Sequence, residues 1–354
     1  MLYFLIAAIM LVFSIMLDKF RNNNLKILVY IILIFILVSF TGLRGDIDPD
    51  YSNYIDIFNG ARNNINLGVE PAFFYFNKII ACLNLDFQWV IFLIALFSIT
   101  LKINFFLNNS KNFAFSILIY YCSMFFLYDF IAIRQALAMA FFMTSLPYLM
   151  ERKFIPYCFF IIFASLFHLS ALVLLPLYFF IYYSCRKIFL YFILSLATLV
   201  SVLKIDIQLV SLVLGYLSLP GFALNKLDIY VQEDVFAALS FRQLLLGFIF
   251  VLFSSRQDDK IIKIFLNIYI LGIIVGTLFN EIPQLSFRLK AYFLWTESIL
   301  VVYYVCKTFK NNDLLRFFVY LILAGLYMLS LYSYLGALSE RQGNYIYPYK
   351  VFFE

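Results

Sequence analysis

The chain has 354 residues, of which 65% are hydrophobic, 21% aromatic and only 13% charged, whereas soluble domains run nearer about 45–50% apolar and roughly 25% charged. This composition excludes an ordinary soluble domain and requires that most of the chain lie in lipid or in a bundle core. The net charge of +6 carries no clustered basic tail, so nucleic-acid binding is not indicated.

A bilayer span needs roughly 20 mostly apolar residues. The runs that qualify, or nearly so, are 2–17, 25–43, 87–107, 112–130, 131–149, 154–168, 169–184, 188–203, 241–255, 261–279, 289–306 and 315–336. The expected fold is therefore all-α, a single polytopic membrane domain over 1–354 with about twelve spans. The first run, LYFLIAAIMLVFSIML, has no basic region before it and no small-residue cleavage site after it, and reads as a retained span. The stretch 206–219 is too short and too polar at its start to cross and reads as an interfacial or re-entrant helix.

Ionisable groups in so apolar a chain mark sites, because a charge within a bilayer costs a few kcal/mol or more. The second run ends in LVSFTGLRGDIDPDYSNY, which places Arg44, Asp46, Asp48 and Asp50 together. Gly45 and Pro49 are consistent with a plain solvated turn. Alternating Asp residues also suit an oxygen-ligated divalent cation, or an acidic patch for sugar hydroxyls beside an Arg for phosphate. The aromatics that follow, Tyr51 and Tyr54 among them, suit a helix lying on the membrane or stacking on a sugar ring. Glu70-Pro71 then opens a second amphipathic stretch, with the carboxylate at a helix N-terminus and Pro at the first helical position. The outer-face segments are expected at 44–86 and 204–240.

Further along, Arg134 and Gln135 interrupt FLYDFIAIRQALAMAFF. A guanidinium stays charged and needs an anion, from the protein or from a ligand. Asp129, five residues earlier, is not on the same helical face. The only histidine, His168, lies in an apolar run; such residues are commonly core histidines, but its near-neutral titration also suits a general base. Arg288 and Lys290 open another span in FRLKAYFLW and either snorkel or face a cavity, as does Glu297 deeper in it. The five cysteines show no paired spacing, so zinc and haem have almost no ligands.

Lys and Arg concentrate in one set of alternating loops: Lys19, Arg21 and Lys26; Lys102 and Lys111; Arg152 and Lys153; Arg186 and Lys187; Arg256, Lys260 and Lys263; Lys307, Lys310 and Arg316. The positive-inside rule makes these cytoplasmic, which puts Arg44, Arg134, His168 and Arg288 towards the outer face.

Taken in order, these residues resemble the EpsG-like branch of the Wzy-type polysaccharide polymerases. The likeness rests on Arg44 with Asp50-Tyr51 and Tyr54, Glu70-Pro71, Arg134-Gln135-Ala136 with Ala138, and Phe167-His168-Leu169-Ser170-Ala171 with Pro176. Arg288 with Tyr292 and the tail Tyr347-Pro348-Tyr349 complete it, over about 40 to 350. One departure is Pro49, where the family often has Gly before the Asp-aromatic pair. The resemblance implies a GT-C-like glycosyl polymerase of the bacterial inner membrane, multi-pass, needing no metal or cofactor. It would join undecaprenyl-pyrophosphate-linked oligosaccharides by inverting transfer on the outer face, beside a flippase and a chain-length regulator. It assigns the catalytic base to His168, Asp50 or Glu70, the pyrophosphate to Arg44, Arg134 and Arg288, and substrate contacts to Asp46, Tyr51, Tyr54, Gln135 and Tyr292. The rival readings are a lipid-linked oligosaccharide flippase, a membrane acyltransferase using His168, and an assembly partner without chemistry.

Overall fold

The structure, a computed structural model, describes residues 2–20, 22–182, 186–203, 205, 239–255, 257–280, 282–342 and 349–353. Every regular element among them is a helix. The second expected outer segment, 204–240, and the helix expected at 206–219 lie almost entirely outside the described residues, as do Tyr347 and Pro348.

Among the described residues, seven helical stretches are long and apolar enough to cross a membrane: Leu2–Phe20, Asn23–Gly42, Phe87–Asn109, Phe113–Ile131, Lys260–Leu278, Pro283–Thr308 and Asp313–Leu338. The chain is therefore a multi-pass membrane protein. Four runs expected as spans form shorter apolar helices instead, Phe154–Ser165, Leu169–Phe180, Lys187–Val202 and Phe241–Phe253. At 1.5 Å per residue a helix of that length falls short of a hydrocarbon core about 30 Å thick. Hydropathy counted them because it registers apolarity and not the breaks between helices.

Two compact units share the chain, one of residues 1–172 with 305–354, the other of 173–304. In the first unit, α1 (Leu2–Phe20) and α2 (Asn23–Gly42) are followed by two short helices, α3 (Tyr51–Arg62) and α4 (Pro71–Cys82). Next come α5 (Phe87–Asn109) and α6 (Phe113–Tyr120), continued by a π-helix over Tyr121–Ile131, then α7 (Ile133–Met150) and α8 (Phe154–Ser165). The helices α3 and α4 lie over one apolar core. Tyr54, Ile57 and Phe58 of α3 and Phe73 and Ile80 of α4 pack with Val90, Ile91 and Ile94 of α5, Ile133 and Leu137 of α7, and Phe167. Burying each such side chain contributes about 1.5–3 kcal/mol, enough to hold two 12-residue helices that would be marginal alone.

The π-helix decides where the next helix starts. Its wider turns bring Asp129 onto α5, where the carboxylate meets Lys102 Nζ at 2.6 Å and accepts from Ser98 Oγ at 2.7 Å. The Tyr120 hydroxyl donates to its other oxygen. The last π-type bond, Ala132 N–H to the Leu127 carbonyl at 3.0 Å, is followed by a break at Ala132 (φ −84°, ψ 62°), and α7 begins at Ile133. Lys102 and Asp129 are 2% and 3% exposed, so removing one leaves the other charged and buried. Asp129→Ala is expected to cost about 3–5 kcal/mol, read as a lowered thermal midpoint in detergent, with Lys102→Met in the same chain recovering a substantial part.

In the second unit, short helices α9 (Leu177–Phe180), α10 (Lys187–Val202) and α11 (Phe241–Phe253) precede α12 (Lys260–Leu278), α13 (Pro283–Leu294) and α14 (Glu297–Thr308), the last belonging to this unit as far as Tyr304. Gly272 and Gly276 on α12 let α13 approach closely, since a Cβ on Gly272 would lie 2.7 Å from that of Phe293. Small residues spaced by four allow such packing in lipid. The long helix α15 (Asp313–Gln342) belongs to the first unit, where Arg316 binds Asp18 at 2.7 Å and Asp313 at 2.6 Å.

Candidate functional site

Glu70 is delivered by a tightly specified turn. After α3, the Ile65 N–H returns to the Gly60 carbonyl at 2.7 Å. The Asn66 side chain then closes a ring on Val69, accepting from its N–H at 2.9 Å and donating to its carbonyl at 3.1 Å. Gly68 holds φ +79°, a conformation that strains any residue with a Cβ. Glu70 is thereby placed, extended, as the N-cap of α4, with Pro71 at the first helical position.

Two further elements converge on its carboxylate. From the first turn of α7, Arg134 Nη1 donates to Oε2 at 2.5 Å. Beyond the end of α8, His168 Nδ1 stands 3.3 Å from Oε1, and the Leu169 N–H donates to the same oxygen at 3.3 Å. The Ala72 N–H, an orphan donor of the first turn of α4, bonds the Leu166 carbonyl at 3.0 Å and fixes the two chain segments together. The Arg134 guanidinium lies 5.6 Å above the Phe73 ring and is hydrogen-bonded to Tyr54 of α3. Its Nε has no hydrogen-bond partner among the described residues.

Burial opposes ionisation of Glu70, but the hydrogen bond from His168 and the charge of Arg134 outweigh it and hold the carboxyl at about 2. The Tyr54 hydroxyl is pushed up to about 12, by burial first, against the opposing pull of Arg134. At neutral pH the cluster is thus an anionic carboxylate between a fixed cation and an imidazole, with a neutral phenol beside them. A carboxylate at Nδ1 favours the tautomer that places the proton there and the lone pair on Nε2.

Arg44 sits elsewhere in the same unit and is fully enclosed. Its Nε meets Asp48 at 3.0 Å, its Nη1 donates to the Thr41 carbonyl at 3.0 Å, and the guanidinium stacks 4.8 Å over Phe130. Gln88 of α5 donates to the Gly42 and Arg44 carbonyls at 2.6 and 3.2 Å. The acidic run divides accordingly: Asp46 is exposed, Asp48 is buried and Asp50 is half-buried ahead of α3. The Asp50 N–H donates to Asp48 at 3.0 Å. Tyr51 meets the Phe87 ring edge-on at 5.5 Å, and Gln135 is buried on α7. Arg288 and Tyr292 lie on α13 in the second unit, half-buried and fully buried. There the buried Glu297 faces Arg242 at 3.5 Å. No group of three or more His, Cys, Asp or Glu among the described residues could hold a metal ion.

The family model for the EpsG family matches residues 26–351, nearly the whole chain. The chain belongs to the EpsG family. This is a Wzy-like polymerase family associated with glycosyltransferase-like activity, so a role in exopolysaccharide synthesis at a membrane follows. No curated protein and no solved structure matches the chain.

Every site residue from Arg44 to Tyr292 falls inside the EpsG match. Within it, three residues separated by 64 and 98 positions meet on one carboxylate. Two partners escaped the sequence reading. Asp48 is the partner of Arg44, and its four-residue spacing was the available signal. Gln88 clamps the same loop from 44 residues away, and nothing local announces it.

Proposed function

We propose that this protein polymerises undecaprenyl-pyrophosphate-linked oligosaccharide repeat units on the outer face of the bacterial inner membrane, by inverting glycosyl transfer that uses no metal. The observation that carries the reading is the convergence of Arg134 and His168 on Glu70 in a chain of the EpsG family. The same reading includes a GT-C-like bundle of about twelve membrane-spanning helices, and work alongside a flippase and a chain-length regulator.

In this mechanism an acceptor hydroxyl of the incoming unit attacks the anomeric carbon of the donor glycan. The carbon–oxygen bond to pyrophosphate breaks, and the acceptor proton passes to His168 Nε2. Arg134 stabilises the charge that develops on the departing pyrophosphate. Glu70 was one of three candidate bases, but a carboxyl held at about 2 is too weakly basic for that work. Its place is behind His168 and Arg134, fixing both. Asp50 is not in that cluster and is assigned with Asp46 and Tyr51 to the sugar, whereas Tyr54, Gln135 and Tyr292 are buried and are not assigned to substrate. Arg44 frames the acidic loop, because its side chain is enclosed and already shared between Asp48 and Thr41.

The test is where substrate accumulates. In cells carrying His168→Ala, polymer is expected to disappear while single lipid-linked repeat units build up on the outer leaflet, reachable by an externally added glycosidase. Accumulation on the cytoplasmic leaflet would transfer the assignment to a flippase. The orientation has its own check. Cysteines at Asn63 and Asn66 should label from outside, and one at Arg152 only after permeabilisation; the reverse pattern overturns the outer-face site.

A further inference from the structure

The chain's end lies against the loop that opens the candidate site. An isolated antiparallel bridge pairs Val351 with Arg44. The Gly45 N–H donates to the Lys350 carbonyl at 3.0 Å, and the Phe352 N–H to the Leu43 carbonyl at 3.0 Å. Tyr349 anchors the pairing: its ring stacks on Phe40 with centroids 5.0 Å apart, and its hydroxyl donates to the Phe40 carbonyl at 2.7 Å. That carbonyl belongs to the last turn of α2, where the helix supplies no N–H donor of its own. The approach is close: a Cβ on Gly45 would stand 3.1 Å from the Val351 carbonyl oxygen, so the tail would have to give way by a few tenths of an ångström.

The strapped segment carries chemistry. Residues 43–50 run from the end of α2 to the start of α3 and hold the Arg44–Asp48 pair, Asp46 and Asp50. On α3, Tyr51 and Tyr54 follow at once, and Tyr54 reaches Arg134. Three supports fix this loop: the Arg44–Asp48 pair within it, Gln88 on the Gly42 and Arg44 carbonyls, and the tail on Leu43 and Gly45 between and beside them. A two-residue bridge has no independent stability, so the stacked and hydrogen-bonded Tyr349 is what makes the pairing persist.

We infer that Tyr349–Phe353 is a positioning strap for the substrate-binding loop, with Tyr349 its anchor. This rests on the assignment of Asp46, Asp50 and Tyr51 to the sugar. The strap touches no reacting atom; it sets the height and angle at which the acidic loop meets substrate, so its loss acts on substrate binding.

The experiment uses full-length protein in liposomes, with lipid-linked repeat units extracted from cells lacking this gene as substrate. For Tyr349→Ala the KM is expected to rise about tenfold while kcat stays within about twofold. Tyr349→Phe keeps the stack and loses only the hydroxyl bond, so its KM should rise no more than about threefold. Gly45→Ala, which crowds the tail from the loop side, should raise KM in the same direction by a smaller factor, about twofold or more, and supplies the test should Tyr349→Ala fail to accumulate. An unchanged KM in Tyr349→Ala and Gly45→Ala, or a loss confined to kcat, overturns the strap. Wild-type protein that makes no polymer under the same conditions sinks the polymerase reading instead, so the two failures are told apart.

Discussion

The Glu70→Gln protein is expected to insert and fold, yet to form polymer at least about a hundredfold more slowly than wild type. Gln keeps the shape and one acceptor oxygen but removes the charge that Arg134 and His168 share. The cost to catalysis is large because one substitution disturbs two groups. The imidazole loses the acceptor that fixes its tautomer, and misassigning that proton in comparable carboxylate–histidine pairs costs about 10⁴-fold. The cost to stability is smaller, about 1–3 kcal/mol, since the Glu70 and Arg134 side chains remain 18% and 22% exposed. Polymer length on gels at matched membrane abundance measures the first quantity and the thermal midpoint the second. Normal polymer from Glu70→Gln would remove the carboxylate from the mechanism altogether.

The same residue gives a pH signature. Its carboxyl is held at about 2 in the folded protein against an ordinary value of 4.5. A depressed pKa stabilises the fold fully above the unfolded value, and the contribution fades as pH falls from about 4.5 through about 2. The difference amounts to about 3 kcal/mol. The part of the stability gap between wild type and Glu70→Gln that comes from this carboxyl should therefore narrow as pH falls below about 4.5.

What the sequence disclosed follows from the range of each interaction. Apolar runs and the amphipathic starts at Tyr51 and Pro71 are local properties, and both appear as helices. Breaks inside apolar runs are not local. The π-helix over Tyr121–Ile131 depends on Asp129 reaching Lys102 across to α5, and no run of apolar residues records that demand. The same holds for the site. Arg134 has no carboxylate on its own helical face, which by sequence spacing favours a ligand anion. Folding supplies Glu70 from 64 residues away, through a turn set by Asn66 and Gly68. The helix-terminus reading of Glu70 holds for its position, the N-cap of α4 ahead of Pro71, but its side chain makes no capping bond and is spent on Arg134 and His168. Arg44 looked like a free cation beside acids, and its partner was among those acids four residues on. Buried charge announces that a partner exists; it does not say which.

Arg134→Lys supplies the sharpest separation between charge and geometry. Lys keeps a positive charge in the first turn of α7, so the electrostatic attraction for Glu70 and for a pyrophosphate is retained in kind. It loses the planar fork that binds Glu70 through Nη1, reaches Tyr54 and lies over Phe73. A compact ammonium cannot serve those directions together. Polymer formation is expected to fall about 10- to 100-fold in Arg134→Lys and about 10³-fold in Arg134→Ala, the range found when a donor to developing negative charge is removed. Both proteins should accumulate in the membrane, the Ala variant with a lower thermal midpoint because Glu70 keeps its charge without its cation. If charge alone mattered, Lys would restore wild-type polymer, and Arg134 would then be a structural counter-ion of Glu70. If the fork matters, the loss in Lys persists at saturating substrate, because the missing interaction belongs to the transition state and not to the bound substrate.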